Sequence, residues 1–208
     1  MKYYLSSYKL GNETEKLKEM LRETSGKFVY CPNALDFTSA DPERRQSHIE
    51  KDMDDLRALG VDIEVLDLKD YFGKEDALRE KLLSLGGMYV SGGNSFVLRQ
   101  AFFLSGLDKI LLEMSDRDDF LYIAYSAGVC VLTPDMKAYA ITDDATDFPY
   151  PQCTEQIWGG LNIVKFVFEP HYKSDHHESA STDKEVDYCV ENKILFKAYR
   201  DGEVLILE

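Results

Sequence analysis

Short, continuously apolar runs recur along the first two thirds of the chain. Residues 28–31, 88–90 and 120–125 are almost wholly hydrophobic, the pattern of strands that are buried on both faces of a sheet. Amphipathic segments such as residues 12–24 lie between these runs, with apolar positions spaced as on one face of a helix. This alternation predicts an α/β fold with a mostly parallel sheet that helices cover on both faces.

Signals for helix ends support the alternation. Asp41-Pro42-Glu43 combines an N-cap, a first-turn proline and an early acid, which together open a helix. Gly60 is placed to end that helix. Further helices are predicted over residues 75–84 and from Ser95 onward.

The last third of the chain has a different pattern. Residues 140–158 are irregular, polar and proline-containing, as in long loops that carry function. Residues 161–168 are rich in β-branched and apolar side chains and predict a strong strand. Residues 183–190 predict a helix.

Two apolar runs near the end, residues 194–199 and 203–207, flank Asp201-Gly202. This turn signal predicts a C-terminal β-hairpin. No linker or repeat interrupts the sequence, which indicates a single domain over residues 1–208.

Composition narrows the class of protein. The 208 residues carry 38 acidic and 24 basic side chains, a formal net charge of −14, with 44% hydrophobic and 12% aromatic residues. The aromatic fraction is too high for a disordered acidic chain, and no apolar window reaches the roughly 18 residues of a membrane span. The lack of basic clusters argues against a nucleic-acid partner, and the negative charge against an acidic membrane surface. Four well-separated cysteines and no recognisable secretory signal predict a cytoplasmic protein.

The most distinctive strand end is Ser126-Ala127-Gly128. An apolar strand enters a tight turn at a serine with small neighbours, the layout of a nucleophile elbow, although Ala124 stands where G-x-S-x-G has its first glycine. The alternative is that Ser126 only caps the helix that follows.

A second strand end reads Ser91-Gly92-Gly93-Asn94. Paired glycines before a helix expose backbone N–H groups, which suits an oxyanion hole or a phosphate cradle. An ordinary glycine-rich turn is the alternative. The lysine of a phosphate-binding loop is absent.

A serine nucleophile needs a base, and the chain has four histidines. His171 follows the predicted strand through Glu169-Pro170 and so lies at a strand end, whereas His48 lies in a highly charged helix and is interpreted as solvated. His176-His177-Glu178 resembles a metal-ligand run, but its spacing matches no defined zinc pattern, which favours a solvated loop. The carboxylate that would orient the base stays open between Asp144, Asp201 and Glu178.

Taken together, these motifs resemble the peptidase E family of serine peptidases. The order and spacing of Ser91-Gly92-Gly93-Asn94-Ser95-Phe96, Tyr125-Ser126-Ala127-Gly128, Gly160-Leu161-Asn162 and Glu169-Pro170-His171-Tyr172 match that family over nearly the whole chain. The resemblance implies a three-layer α/β/α sandwich similar to class I glutamine amidotransferases. The founding member is an aspartyl dipeptidase, and cyanophycinases are relatives.

The resemblance also implies roles for individual residues. Ser126 would be the nucleophile and His171 the general base, while the N–H groups of Gly93 and Ala127 would form the oxyanion hole. Asp201 is preferred as the third member of the triad, with Asp144 in reserve. Gly92, Asn94 and Tyr125 would contact the substrate, a small peptide. No cofactor or metal is expected, and the protein would be a monomer or homodimer.

Two departures from the family bear on the substrate. Ala124-Tyr125 stands where peptidase E has Gly-Trp, and the arginine-containing stretch after its histidine is missing here. An acidic substrate side chain needs a cation, for which Arg99 and Lys173 are candidates. Two rivals to a peptidase remain, namely another amide or ester hydrolase on the same scaffold and a non-catalytic binding protein of this fold.

Overall fold

A six-stranded sheet runs through the middle of the structure, a computed structural model that describes residues 1–208. Its strands lie in the order β3-β2-β4-β5-β1-β8. The first five strands of this order are parallel, and β8 is antiparallel to β1 at the edge. A separate pair, β6 and β7, is also parallel. The strands are β1 (Lys2–Ser6), β2 (Lys27–Cys31), β3 (Asp62–Val65), β4 (Gly87–Val90), β5 (Leu121–Tyr125), β6 (Val167–Glu169), β7 (Phe196–Ala198) and β8 (Val204–Leu207).

Helices cover both faces of the six-stranded sheet, and α7 packs on the pair β6 and β7. Neighbouring residues of one strand enter different apolar clusters: Val29 packs with the residues of α3, α4 and α5, and Tyr30 packs with those of α1 and α2. The predicted three-layer α/β/α fold is therefore confirmed. No helix has the length and hydropathy that a membrane crossing requires. The helices are α1 (Thr14–Arg22), α2 (Pro42–Arg57), α3 (Glu75–Leu83), α4 (Ser95–Ser105), α5 (Leu107–Glu113), α6 (Ala127–Cys130) and α7 (Ser179–Glu191).

The predicted helix starts are confirmed at α2 and α4. Asp41 caps α2, because its carboxylate accepts a hydrogen bond from the Arg44 N–H at 2.7 Å. Asn94 caps α4 by accepting hydrogen bonds from the Phe96 and Val97 N–H groups. Both caps satisfy N–H groups that a helix leaves without partners.

The strand predicted over residues 161–168 is mostly wrong, because only β6 forms there. The N–H groups of Leu161 and Ile163 donate instead to Val131 and Leu132, in the turn after α6. Asn162 has a positive φ of 52°, which breaks the extended backbone. Leu161 and Val164 are nevertheless buried. The apolar pattern therefore indicated correctly that these side chains are buried, but not that the backbone is extended.

The turn at Asp201-Gly202 forms as predicted and joins β7 to β8. The two strands leave this turn in different directions, since β7 pairs with β6 and β8 pairs with β1. The turn therefore links the small sheet to the large one. As a result, Asp201 lies next to Ser7, directly after β1.

Residues 142–158 carry no helix or strand, as predicted for most of the segment 140–158. Asp147 accepts a hydrogen bond from the Thr38 N–H at 2.8 Å, which ties this loop to the segment that follows β2. The loop thus lies at the carboxyl ends of the parallel strands, where the other motifs also lie.

Candidate active site

Most of the predicted site residues border one cavity of about 920 Å³, although Asp201 and Ala127 do not line it. It opens where the adjacent strands β4, β5 and β1 end, the place where open α/β sheets bind ligands. Ser126, His171 and Gly93 all border it. Gly93 and Ser126 share this surface because β4 and β5 are neighbours in the sheet, whereas His171 reaches it from the end of β6, in the separate strand pair.

Ser126 forms a strained turn directly after β5. Its φ of 47° and ψ of −117° lie in a region that side chains rarely adopt. Gly128 permits the turn, because a Cβ atom there would lie 2.8 Å from the Val90 carbonyl oxygen. The Ser126 side chain makes no capping hydrogen bond, so the alternative of a simple N-cap is not supported. The helix that follows, α6, is only one turn long.

The glycine turn after β4 presents free backbone donors beside Ser126. Gly93 has a φ of +137°, and a Cβ atom there would lie 2.3 Å from the Ala34 carbonyl oxygen, so glycine is required. The N–H groups of Gly93 and Ala127 donate to no acceptor within the molecule. Both remain available to a developing negative charge.

His171 and Asp201 form a hydrogen-bonded pair. His171 Nδ1 lies 2.7 Å from Asp201 Oδ1, and because a carboxylate only accepts, the ring donates this hydrogen. Ser7 Oγ donates to the same oxygen at 2.9 Å and accepts from the His171 N–H at 2.8 Å. The Asp201 N–H donates to Ser174 Oγ at 2.8 Å. These contacts hold both members of the pair in place.

The environment of His171 keeps its imidazole neutral. Burial lowers the pKa of His171 below its usual value of 6.5, and the hydrogen bond and charge of Asp201 oppose this only in part. With the proton on Nδ1, the lone pair is on Nε2. A neutral ring with a free Nε2 can accept a proton.

In this structure His171 Nε2 is next to Glu178 and makes no hydrogen bond to Ser126. Glu178 Oε2 lies 3.6 Å from Nε2, and burial raises the pKa of Glu178. The ring of His176 stacks on His171 with centroids 3.7 Å apart, and the Tyr8 ring packs edge-on against both. His171, His176 and Glu178 also bring one potential metal-ligand atom each within 4.8 Å of one another.

Asp144 has no contact with His171. Its exposed carboxylate accepts hydrogen bonds from Thr146 N–H and Oγ1 at 2.8 and 2.7 Å, which lower the pKa of Asp144. Its neighbour Asp143 was missed by the sequence reasoning. Asp143 accepts from the Ser95 N–H at 2.8 Å, borders the cavity, and has its pKa raised to about 7 by burial.

Gly92, Asn94 and Tyr125, the residues expected to contact the substrate, border the cavity, but the side chains of Asn94 and Tyr125 use their polar atoms elsewhere. Asn94 caps α4 and donates its Nδ2 to the Asp144 carbonyl at 3.0 Å. The Tyr125 hydroxyl donates to the buried Asp52 at 2.7 Å. Gly92 packs against the nucleophile candidate, since a Cβ atom there would be 3.2 Å from Ser126 Cβ.

The candidate cations Arg99 and Lys173 lie away from the cavity. Arg99 donates to Asp108 and to the Gly159 carbonyl, and Lys173 lies over the ring of Tyr172.

The cations that border the cavity come mainly from α2, the charged helix in which only His48 was considered, and interpreted as solvated. Arg45 is paired with Asp36, whereas the exposed side chains of Arg44 and Lys51 have no carboxylate partner. Arg44, His48 and Lys51 are spaced i, i+4, i+7, which places them on one helix face. This spacing was the signal that could have identified them.

The model of peptidase family S51 matches residues 5–207. Over 157 residues the chain is 29% identical to the uncharacterized peptidase Lmo0363 of Listeria monocytogenes, covering 76% of this chain and 73% of that protein. Over 89 residues it is 37% identical to the uncharacterized peptidase Lin0382 of Listeria innocua, covering 42% of this chain and 39% of that one.

Two crystal structures share the fold. A protein from Listeria monocytogenes described as a candidate peptidase E has a TM-score of 0.72 at 23% identity, covering 100% of this chain and 98% of that one. A peptidase from an acI-B1 actinobacterium has a TM-score of 0.70 at 15% identity, covering 100% and 83%. At these identities the likeness establishes the fold alone. Because the family model spans nearly the whole chain, as the order of motifs predicted, the protein belongs to peptidase family S51 and is a hydrolase of the serine peptidase class.

Proposed function

We propose that the protein hydrolyses the amide bond of small peptides through Ser126, His171 and Asp201. The observation that carries this proposal is the His171–Asp201 hydrogen bond of 2.7 Å, which leaves a neutral Nε2 in the cavity of the strained Ser126. A nucleophile, a base and an orienting carboxylate are the parts of a serine hydrolase triad. The family supplies the reaction class.

The proposed reaction passes through an acyl-enzyme. His171 Nε2 takes the proton of Ser126 Oγ as this oxygen attacks the amide carbonyl carbon. The oxyanion accepts hydrogen bonds from the free N–H groups of Gly93 and Ala127. His171 then gives its proton to the leaving amine, and water hydrolyses the ester in a second cycle.

Substrate binding must bring Ser126 Oγ and His171 Nε2 together. Nε2 now has Glu178 Oε2 at 3.6 Å as its polar neighbour. Hydrogen bonds between catalytic groups are often long in unliganded enzymes and shorten in the substrate complex. The proposed mechanism therefore requires His171 to exchange its contact with Glu178 for one with Ser126.

The charges around the cavity favour a short peptide with free termini. Arg44 and Lys51 have no acidic partner and can meet a carboxylate, and arginine does so with two hydrogen bonds. Asp143 and Glu178 border the same cavity and can meet an ammonium group. The resemblance to peptidase E implies a preference for amino-terminal aspartate. Cytoplasmic location, a single domain and a monomeric or homodimeric state stay predictions.

The purified protein is incubated with dipeptides that have Asp, Glu, Asn or Ala at the amino terminus, and hydrolysis is measured. In a separate reaction, a fluorophosphonate probe tests for a reactive serine. We expect hydrolysis and labelling by the wild type, and a loss of kcat/KM of about 10³-fold or more in Ser126→Ala. Thermal unfolding of the variant should match that of the wild type. Ser47→Ala, which changes an exposed serine at the edge of the same cavity, is the control that keeps both activities.

The other outcomes separate the rival functions. Labelling of Ser126 without cleavage of any dipeptide would favour another amide or ester hydrolase. A folded wild type that is neither labelled nor active would favour a non-catalytic binding protein.

A further inference from the structure

Three potential metal ligands, His171, His176 and Glu178, lie close together in the wall of the cavity. Glu178 Oε2 lies 3.6 Å from His171 Nε2 and 3.7 Å from His176 Nδ1. The two imidazole rings stack in parallel at 3.7 Å. A tetrahedral zinc ion with ligands at about 2.1 Å separates its ligand atoms by about 3.4 Å. The three atoms lie within 4.8 Å of one another, so a tilt of the stacked rings would be needed to bring all three into one coordination sphere.

The hydrogen bonds around the two imidazoles show which nitrogen of each ring is unprotonated. His171 donates Nδ1–H to Asp201, the carboxylate–histidine arrangement that orients zinc ligands and raises their basicity. His176 Nδ1 accepts a hydrogen bond from the Glu178 N–H at 3.3 Å, so this nitrogen is unprotonated, and a metal bound to it would replace that hydrogen bond. Two neutral imidazoles and one carboxylate are a donor set that suits Zn²⁺.

The surroundings also favour a cation. Asp175 and Asp143 border the same cavity, and the whole chain has a formal net charge of −14. Three protein ligands leave a fourth position toward the cavity, as in open zinc sites. His171 and His176 are five residues apart in a run whose spacing fits no defined zinc pattern, so only the fold brings these atoms together.

We propose that His171, His176 and Glu178 bind a divalent transition-metal ion, Zn²⁺ by donor type, and that the bound ion inhibits the peptidase. The metal would take the Nε2 lone pair of His171, the same pair that deprotonates Ser126. The inhibitory half rests on the proposed function, whereas the metal site itself does not.

Zinc binding is tested on protein stripped with EDTA, by competition with a chromophoric zinc chelator. We expect a dissociation constant in the micromolar range or below for the wild type, and at least about tenfold weaker binding in His176→Ala and in Glu178→Gln. His177→Ala is the matched control, because that neighbouring side chain is 78% exposed and outside the cluster. It should bind within about twofold of the wild type. Circular dichroism identifies a variant that has not folded. If one of His176→Ala and Glu178→Gln is unfolded, the zinc affinity of the other one tests the site.

No measurable binding by the wild type, or equal binding by the folded ligand variants, would overturn the metal site. The proposal that zinc inhibits the peptidase is tested with the dipeptide assay. For each protein, the quantity measured is the activity with zinc divided by the activity with EDTA. The wild-type ratio should fall at least tenfold at saturating zinc and recover with excess EDTA, while the His176→Ala ratio stays near one. A wild-type ratio at or above one would overturn inhibition. If no dipeptide is hydrolysed in EDTA, the proposed function and the inhibitory role fail together, and the chelator competition still decides the metal site.

Discussion

Two regions of the molecule meet at the cavity, and they hold their groups in different ways. The elbow region, residues 87–94 and 121–130, presents Ser126 and the free N–H groups directly after two buried parallel strands that pair with each other. The histidine region, residues 167–178 with Asp201, presents a pair of side chains 30 residues apart. In the first region, backbone ladders position the groups, and in the second, side-chain hydrogen bonds do.

The backbones of the two regions show the same contrast. In the elbow region, Gly93 and Gly128 are needed because neighbouring backbone atoms leave no room for a Cβ atom. In the histidine region, β6 is only three residues long, and His171 and Lys173 both have positive φ angles. Ser7, which lies outside this region, and Ser174, which lies within it, hold the pair by hydrogen bonds. The base is therefore the part of the site that depends most on long-range contacts.

The largest expected effect tests the histidine region. Asp201→Asn removes the charge that stabilises the protonated His171 and allows the wrong tautomer, so kcat should fall by about 10²–10⁴-fold with a smaller change in KM. Steady-state kinetics on a cleaved dipeptide, repeated across pH, measure both. Asp144→Asn is the matched control and should stay within a few-fold of the wild type. A larger loss in Asp144→Asn than in Asp201→Asn would assign the third triad position to the loop.

A somewhat smaller effect is expected in the elbow region. In Gly93→Ala, the new Cβ atom would meet the Ala34 carbonyl at 2.3 Å and the residue would keep a φ of +137°. The displaced N–H should cost about 10²–10³-fold in kcat, and the strain about 1–3 kcal/mol of the free energy of unfolding. Kinetics and urea unfolding test this. Gly159→Ala adds a Cβ atom that meets nothing within 4 Å and should change neither quantity. Full activity in Gly93→Ala would remove Gly93 from the oxyanion hole.

The smallest effect concerns two buried acids behind the histidine region. Glu169, two residues before His171, and Glu185 of α7 are almost fully buried. Burial, followed by the neighbouring Glu169 carboxyl, raises the pKa of Glu185 well above its usual value of 4.5. Folded protein thus keeps a proton that the unfolded chain releases above about pH 4.5, so this group makes the protein less stable as the pH rises.

Glu185→Gln removes that titration. Relative to the wild type, the variant should gain unfolding free energy as the pH rises, by at most about 1.4 kcal/mol per pH unit. Urea unfolding at several values between about pH 5 and pH 8 measures the difference. Glu191→Gln, at an exposed position at the end of the same helix, should show no such trend. A stability difference that is independent of pH would mean that Glu185 is ionised in the folded protein.

How far the site could be predicted also differs between the two regions. The apolar runs ending at Ser91 and Ser126 predicted two strand ends, because burial on both faces leaves a clear local pattern. The strand expected over residues 161–168 did not form beyond β6, since an equally apolar pattern is satisfied there by turns packed on the core. The choice between Asp201 and Asp144 depended on the path of the chain after β7, which no local pattern records.

The sequence by itself determined the α/β class, the helix starts at Asp41 and Asn94, and the motifs that identify the family. These properties depend on side-chain periodicity, capping and glycine, which act over a few residues. Only the tertiary structure decided that Asp201 contacts His171 and that His176 and Glu178 lie beside the same imidazole. It also decided that Arg44 and Lys51 of α2 border the cavity. The contacts of Asp201 and of α2 join residues from separate elements and depend on how β1, β6, β8 and α2 are packed together. The convergence of His171, His176 and Glu178 depends on the path of the single loop between β6 and α7.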